Sequence, residues 1–181
     1  MKKNLVYVIL VLVAIASYFI IVAARQTGFT EGYAPRQPVA FSHKLHAGDN
    51  QIQCIYCHSA AQSGRHAGVP PTELCMNCHT NIRKDAPEVI KIVDALKSGK
   101  GIEWKKVNHL PDFAYFNHSQ HVMVGKVSCQ QCHGDVQTFD VMKQKENLSM
   151  GWCINCHRGS EIAPPTDHKS RAGGDCARCH Y

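Results

Sequence analysis

Cys-x-x-Cys-His occurs five times in this chain, at Cys54/Cys57/His58, Cys75/Cys78/His79, Cys129/Cys132/His133, Cys153/Cys156/His157 and Cys176/Cys179/His180, and the five copies use all ten cysteines. Two thiols three residues apart with a histidine directly behind them form the attachment signature of c-type haem. The thiols add to the haem vinyl groups as thioethers and the histidine ligates the iron from one face. Competing uses of cysteine fit less well. A structural zinc ribbon pairs one Cys-x-x-Cys with another, and five pairs leave a remainder. Disulfides suit an exported chain but leave five histidines unexplained. Thioredoxin-like chemistry needs an alternating strand and helix context that is not visible here. The reading is five covalently attached haem c groups, with the rest of the sequence holding, ligating and anchoring them.

That inventory limits the fold. The chain has 181 residues, enough for one compact domain and an anchor. About thirty residues per haem cannot build a large side-chain core around each porphyrin, so the haems themselves must supply much of the buried apolar surface. The expected fold is a multihaem cytochrome c, with mostly short helices and loops wrapped around haems and one N-terminal transmembrane helix. The formal charge of +6 invites a nucleic-acid reading, which we reject. The Lys and Arg residues are scattered, and each haem brings two propionates that offset them.

Met1-Lys2-Lys3-Asn4 is a short positive start, and residues 5–24 then run without a charge. Twenty residues of helix span about 30 Å, the thickness of a bilayer core. The run exceeds the apolar region of a cleaved signal peptide and lacks a small-x-small exit, so residues 1–25 are expected to be a retained anchor. The lysines place the N-terminus in the cytoplasm, although Arg25 on the far side opposes that bias. Attachment of c-type haem outside the cytoplasmic membrane, a property of the class, puts the haem domain on the periplasmic side. Residues 26–38, with Gly28, Gly32, Pro35 and Pro38, read as an extended linker, and the pentahaem domain fills 39–181.

The domain carries an internal repeat. Phe41-Ser-His43-Lys-Leu-His46 leads to Cys54, and Phe116-Asn-His118-Ser-Gln-His121 leads to Cys129, each residue offset by 75. The next motifs, at Cys75 and Cys153, are offset by 78. Two dihaem units, 39–84 and 114–160, are therefore followed by a fifth haem in 161–181. Between the units, Asp85-Ala-Pro-Glu88 resembles a capping box. Val89, Ile90, Val93 and Leu96 form an apolar stripe that Gly99 and Gly101 end, which predicts a helix at about 86–98.

Removing the five proximal histidines from twelve leaves seven candidates for the opposite faces of the irons. His43 and His46, and likewise His118 and His121, are spaced i, i+3 on one face of a helical turn, so each pair can serve its own iron and a neighbour. The fifth distal position is open among His66, His109, His168 and Met150, and a Met thioether would raise that haem's potential. Met76, Met123, Met142, Trp104 and Trp152 read as packing groups. If every iron is six-coordinate, no site remains for a small substrate, and the chain passes electrons without a catalytic site of its own. The Cys-x-x-Cys-Lys haem of many nitrite reductases is absent from the sequence.

Residues 39–160 resemble the class III multihaem cytochromes, with Phe-x-His-x-x-His preceding Cys-x-x-Cys-His. The stretches 41–50, 110–122 and 150–158 resemble the membrane-anchored pentahaem subunit of alternative complex III. This resemblance implies a complex that oxidises quinol and reduces a periplasmic cytochrome c or similar acceptor. It implies an iron–sulfur subunit, polytopic quinol-side subunits and a small cytochrome c as partners, in the cytoplasmic membrane. The competing expectation is a stand-alone anchored quinol dehydrogenase that feeds a periplasmic reductase, which needs an open or weakly ligated haem near the linker. A third is a haem enzyme acting on a small nitrogen or sulfur compound.

Overall fold

A computed structural model of the protein describes residues 2–26, 30–158 and 175–181. These are helices, turns and loops, with no strand among the described residues. The apolar start forms α1 (Lys2–Gln26). Its span Asn4–Ala24 is long and apolar enough to cross a membrane, and none of it is buried against the rest of the chain.

Residues 30–40 run without regular structure, opening on a turn at Gly32 (φ 80°), and are bound along their length. The Gly32 N–H donates to Gln144 O (2.7 Å) and the Gln144 N–H to Tyr33 O (3.0 Å). The Gln37 amide copies a backbone rung, donating to Lys105 O and accepting from Lys105 N–H, both at 2.9 Å. Further on, Lys91 Nζ donates to Pro38 O (3.3 Å) and the Ala40 N–H to Glu88 Oε2 (2.7 Å). These two contacts seat Val39, itself buried, against α4 (Pro87–Ser98).

Helix α4 lies where the apolar stripe predicts it, with two differences. Pro87 at its first turn carries the φ a helix start needs, but the N-cap is Ala86 and no side chain caps it. Glu88 is instead spent on Ala40 and on Lys91 (2.6 Å), so the expected capping box does not form. The Lys91 ammonium, and then the Ala40 N–H, hold the Glu88 carboxyl below its ordinary range. The buried positions are Val89 and Ile92, while Ile90 is 46% exposed. The stripe is therefore 89, 92, 93, 96, rotated one position from the expected one. Gly99 ends the helix in the left-handed conformation (φ 66°), its N–H returning to Leu96 O (3.2 Å), a geometry that favours glycine.

Four motifs sit on short helices, α2 (Cys54–Cys57), α3 (Thr72–His79), α5 (Cys129–His133) and α6 (Met150–His157), and the fifth on a 3₁₀ turn, Cys176–Arg178. One helical turn brings the two cysteines to the same side, as a thioether pair requires. Ser128 and Gln131 make a capping box on α5. The Ser149 hydroxyl accepts the Trp152 N–H (3.1 Å) at the start of α6. Ser149→Ala is expected to cost about 1 kcal/mol, read as a shift in the denaturant midpoint with haem content unchanged.

The repeat is visible in three dimensions. Each unit opens on a wide π-helical turn, Lys44–Asp49 and Gln120–Val124. The turns close with matching bonds: Asn50 N–H to Leu45 O (3.1 Å) and Gly125 N–H to Gln120 O (2.8 Å). Gln51 and Lys126, 75 apart, are both left-handed (φ 54° and 53°). The units clasp each other reciprocally. The Lys44 N–H donates to Phe139 O (3.0 Å), and its counterpart Ser119 N–H donates to Gly64 O (3.2 Å), the counterpart of Phe139. Residue i meets j while the copy of j meets the copy of i, the pattern of a two-fold interface built within one chain. Gly48 lies in this interface, where an added Cβ would clash with Gln137 O. Val39, Ala61, Val89 and Ile92 are the buried apolar side chains among the described residues, the small core that the haem count leads one to expect.

Candidate haem-binding sites

The π turns aim two histidines of each unit in different directions, and each meets a motif histidine. His43 faces His58 with ring centroids 6.5 Å apart and planes 10° from parallel. His118 faces His133 at 6.4 Å and 2°. The second histidine of each turn reaches the unit's other motif: His46 faces His79 at 6.1 Å and 63°, and His121 faces His157 at 5.9 Å and 88°. A metal about 2 Å from one nitrogen of each ring holds the two centroids roughly 6 Å apart. All four pairs fit an iron between them.

Backbone carbonyls fix which nitrogen points inward. Nδ1–H of His58 donates to Gly68 O (2.7 Å), of His79 to Ile82 O (2.9 Å) and of His180 to Phe113 O (2.9 Å). On the opposing side, His46 donates to Ser42 O and His121 to Asn117 O, both at 2.8 Å, and His118 to Arg65 O at 2.7 Å. A carbonyl only accepts, so each of these rings carries its proton on Nδ1 and presents the Nε2 lone pair to a metal. Nδ1 of His43 and of His133 is buried without a protein partner. Burial, with His58 and His46 adding to it, brings His43 down to about 4. Burial also lowers His133, assisted by His118 and His58, and His157, assisted by His121. These imidazoles are neutral at pH 7, the form that ligates a metal.

None of the ten cysteines is in a disulfide, and their neighbours order the motifs in space. Cys54 and Cys129 are neighbours across the internal two-fold. Cys57 neighbours Cys75 and Cys78, and Asn77 Nδ2 donates to the Tyr56 hydroxyl (3.1 Å). Cys132 neighbours Cys156 and Cys153, and Cys153 neighbours Cys179. The motifs thus run second, first, third, fourth, fifth.

The candidates for the fifth distal position are scattered. His66 is exposed. His109 is tied through Nε2–H to Lys106 O (3.0 Å), and its ring edge meets Tyr33 at 5.7 Å. Met150 is 62% exposed, and His168 lies outside the described residues. The His180 ring lies 5.8 Å from Phe113, and no histidine ring opposes it among the described residues. Its motif is docked by Tyr115 N–H to Cys179 O (2.8 Å) and by Tyr115 stacked on Tyr181 (4.3 Å), with Arg65 over both rings.

Two groups with a place in the site had no role assigned from sequence. Phe41 stacks on His46 at 4.3 Å, and Phe116 on His121 at 4.4 Å. Their recurrence in the repeat was the available signal. Gln144, fully buried, joins the turn at 30–33 to the loop at His109, and no pattern in the sequence marks it.

A family model for cytochrome c7 and related cytochrome c matches residues 39–97 and 114–181. The two matches fall on the two halves of the repeat. A curated relative, the multihaem cytochrome c subunit of a menaquinone reductase from Nitratidesulfovibrio vulgaris, is 30% identical over 164 residues, covering 80% of this chain and 76% of the relative.

Proposed function

The chain belongs to the family of cytochrome c7 and related cytochromes c, multihaem electron-transfer proteins with covalently bound haem c, and on that premise we propose that it is the pentahaem, membrane-anchored electron-transfer subunit of a quinol-oxidising respiratory complex of the alternative complex III type. In this reading α1 is the anchor and the haem domain stands on the periplasmic side. The partners are an iron–sulfur subunit, polytopic quinol-side subunits and a small cytochrome c or similar acceptor.

The observation that carries the proposal is the set of four opposed histidine pairs. Haem c supplies a one-electron iron couple when bound. The residues of this chain tether it through Cys54/Cys57, Cys75/Cys78, Cys129/Cys132, Cys153/Cys156 and Cys176/Cys179. His58, His79, His133, His157 and His180 take one face. His43, His46, His118 and His121 would take the other face at the first four sites. Irons held by histidine on both faces would leave no coordination site there for a substrate, which supports relay over chemistry.

The name of the relative favours a second reading, in which a complex of this kind runs towards quinone reduction. Solubilising native membranes and isolating the chain tests both. We expect it to leave the membrane with partner subunits, to carry five haems by pyridine haemochrome, and to be reduced by a quinol analogue through that assembly. A cytochrome that leaves alone yet accepts electrons from quinol itself would establish the stand-alone dehydrogenase. A high-spin haem that binds nitrite or cyanide in the intact protein would establish the haem enzyme. Quinone reduction in the assembly from a periplasmic donor, without the reverse reaction, would establish the second direction.

A further inference from the structure

We propose that Phe41 and Phe116 are positioning residues that divide the four repeat sites into two classes, an inner pair with parallel axial rings (His43/His58 and His118/His133) and an outer pair with crossed rings (His46/His79 and His121/His157). The inference rests on the bis-histidine reading above and goes beyond it, because ligation alone sets no ring angle.

The angles fall into two groups, 10° and 2° against 63° and 88°. The division follows position in the unit and recurs in both copies. Its cause lies in the first residue of Phe-x-His-x-x-His. Phe41 stands edge-on to His43 (4.9 Å, 83°) and lies flat on His46 (4.3 Å, 23°). Phe116 does the same to His118 (4.8 Å, 89°) and His121 (4.4 Å, 28°). One aromatic plate therefore orients both distal rings of a unit, crossed with respect to each other. At the outer sites a carbonyl bond on His46 and on His121 adds to the stack, and both constraints resist rotation. The inner sites lie on the two sides of the interface closed by the Lys44 N–H to Phe139 O and Ser119 N–H to Gly64 O bonds. The order along the chain of sites is thus outer, inner, inner, outer, with the fifth motif beside the second outer site.

Ring angle is an electronic variable. Two parallel imidazole planes act on the same iron π-type d orbital and split it from its partner. Crossed planes act on one orbital each and leave the two nearly level. Oxidised low-spin iron gives a rhombic paramagnetic resonance spectrum in the first case and a strongly anisotropic one, with a single dominant low-field feature, in the second.

The test is low-temperature electron paramagnetic resonance of the fully oxidised, full-length protein in detergent, with haem content and optical spin state measured on the same sample. We expect both classes, each accounting for one pair of sites. The Phe41→Leu/Phe116→Leu variant is expected to keep its haems and low spin while the strongly anisotropic class collapses towards intermediate shapes. Phe41→Tyr/Phe116→Tyr keeps the plate and is expected to retain both classes. A single class in the wild type overturns the inference, as does an unchanged spectrum in the leucine variant. Should the leucine variant lose haem, the tyrosine variant decides, and loss of either class there overturns it. Missing haems or high-spin iron at the four sites would instead strike the bis-histidine reading, so the two failures are separable.

Discussion

His118→Ala is expected to convert one haem from low to high spin while all five remain attached. His43→Ala is expected to do the same at the equivalent site of the other unit. The thioethers to Cys129 and Cys132 do not depend on His118, and the proximal ring of His133 stays in place, so the loss is of one axial ligand and not of the cofactor. The effect is all-or-none at that site, because the ring facing His133 at 6.4 Å is the opposing donor there. His118 also spans the unit interface, with Nδ1–H on Arg65 O. The substitution therefore removes one interfacial hydrogen bond, worth about 1 kcal/mol, too little to unfold the domain. His66→Ala, beside Arg65 but exposed and facing no motif histidine, is expected to leave the four repeat sites low spin. Low-temperature optical and magnetic spectra of the three variants check this. Fully low-spin spectra in both His43→Ala and His118→Ala would falsify the ligand assignment.

The split between what could and could not be read from residues follows the range of the interaction. The motifs are local, and an offset of 75 that recurs in Phe41/Phe116, His43/His118 and His46/His121 is a one-dimensional fact. The motifs and the recurring offset can therefore be read directly from the residues. Pairing across the iron needed three dimensions. The i, i+3 spacing predicts one helical face, yet the wider π turns send His43 to the motif at Cys54 and His46 to the motif at Cys75. Helix α4 shows the limit of periodicity: 89, 90, 93, 96 and 89, 92, 93, 96 fit a helix equally well. Tertiary packing decides between them, with Ile92 buried and Ile90 exposed. Glu88 has the spacing of a capping residue, but its partner Ala40 is 48 positions away and leaves no local trace.

Gln144→Ala is expected to destabilise the domain by about 2–4 kcal/mol, the largest loss from a single side chain outside the haem sites. Gln144 is 0% exposed, and its amide makes three bonds. Oε1 accepts from Thr30 Oγ1 (2.7 Å) and from the His109 N–H (3.0 Å), and Nε2 donates to Glu146 O (2.9 Å). Truncation takes the side-chain partner from the His109 N–H and the Glu146 carbonyl, both part-buried bonds, and empties the fully buried space that the Gln144 side chain fills, so lost bonds and lost packing add. Thr30→Ala removes the hydroxyl donor from the same oxygen while His109 keeps it satisfied, so about 1 kcal/mol or less is expected. Gln144→Glu keeps the size but sets a carboxylate oxygen against Glu146 O, and is expected to lose at least as much as alanine. Because the main chain of Gln144 also holds Gly32 and Tyr33, the damage is expected to surface first as faster hydrogen exchange at the Gly32 amide. Haem content and spin state at the four histidine pairs are expected to stay as in the wild type. A Gln144→Ala protein within about 0.5 kcal/mol of wild type by denaturant unfolding, with Gly32 still protected, would show that the hold on residues 30–33 comes from the backbone rungs alone.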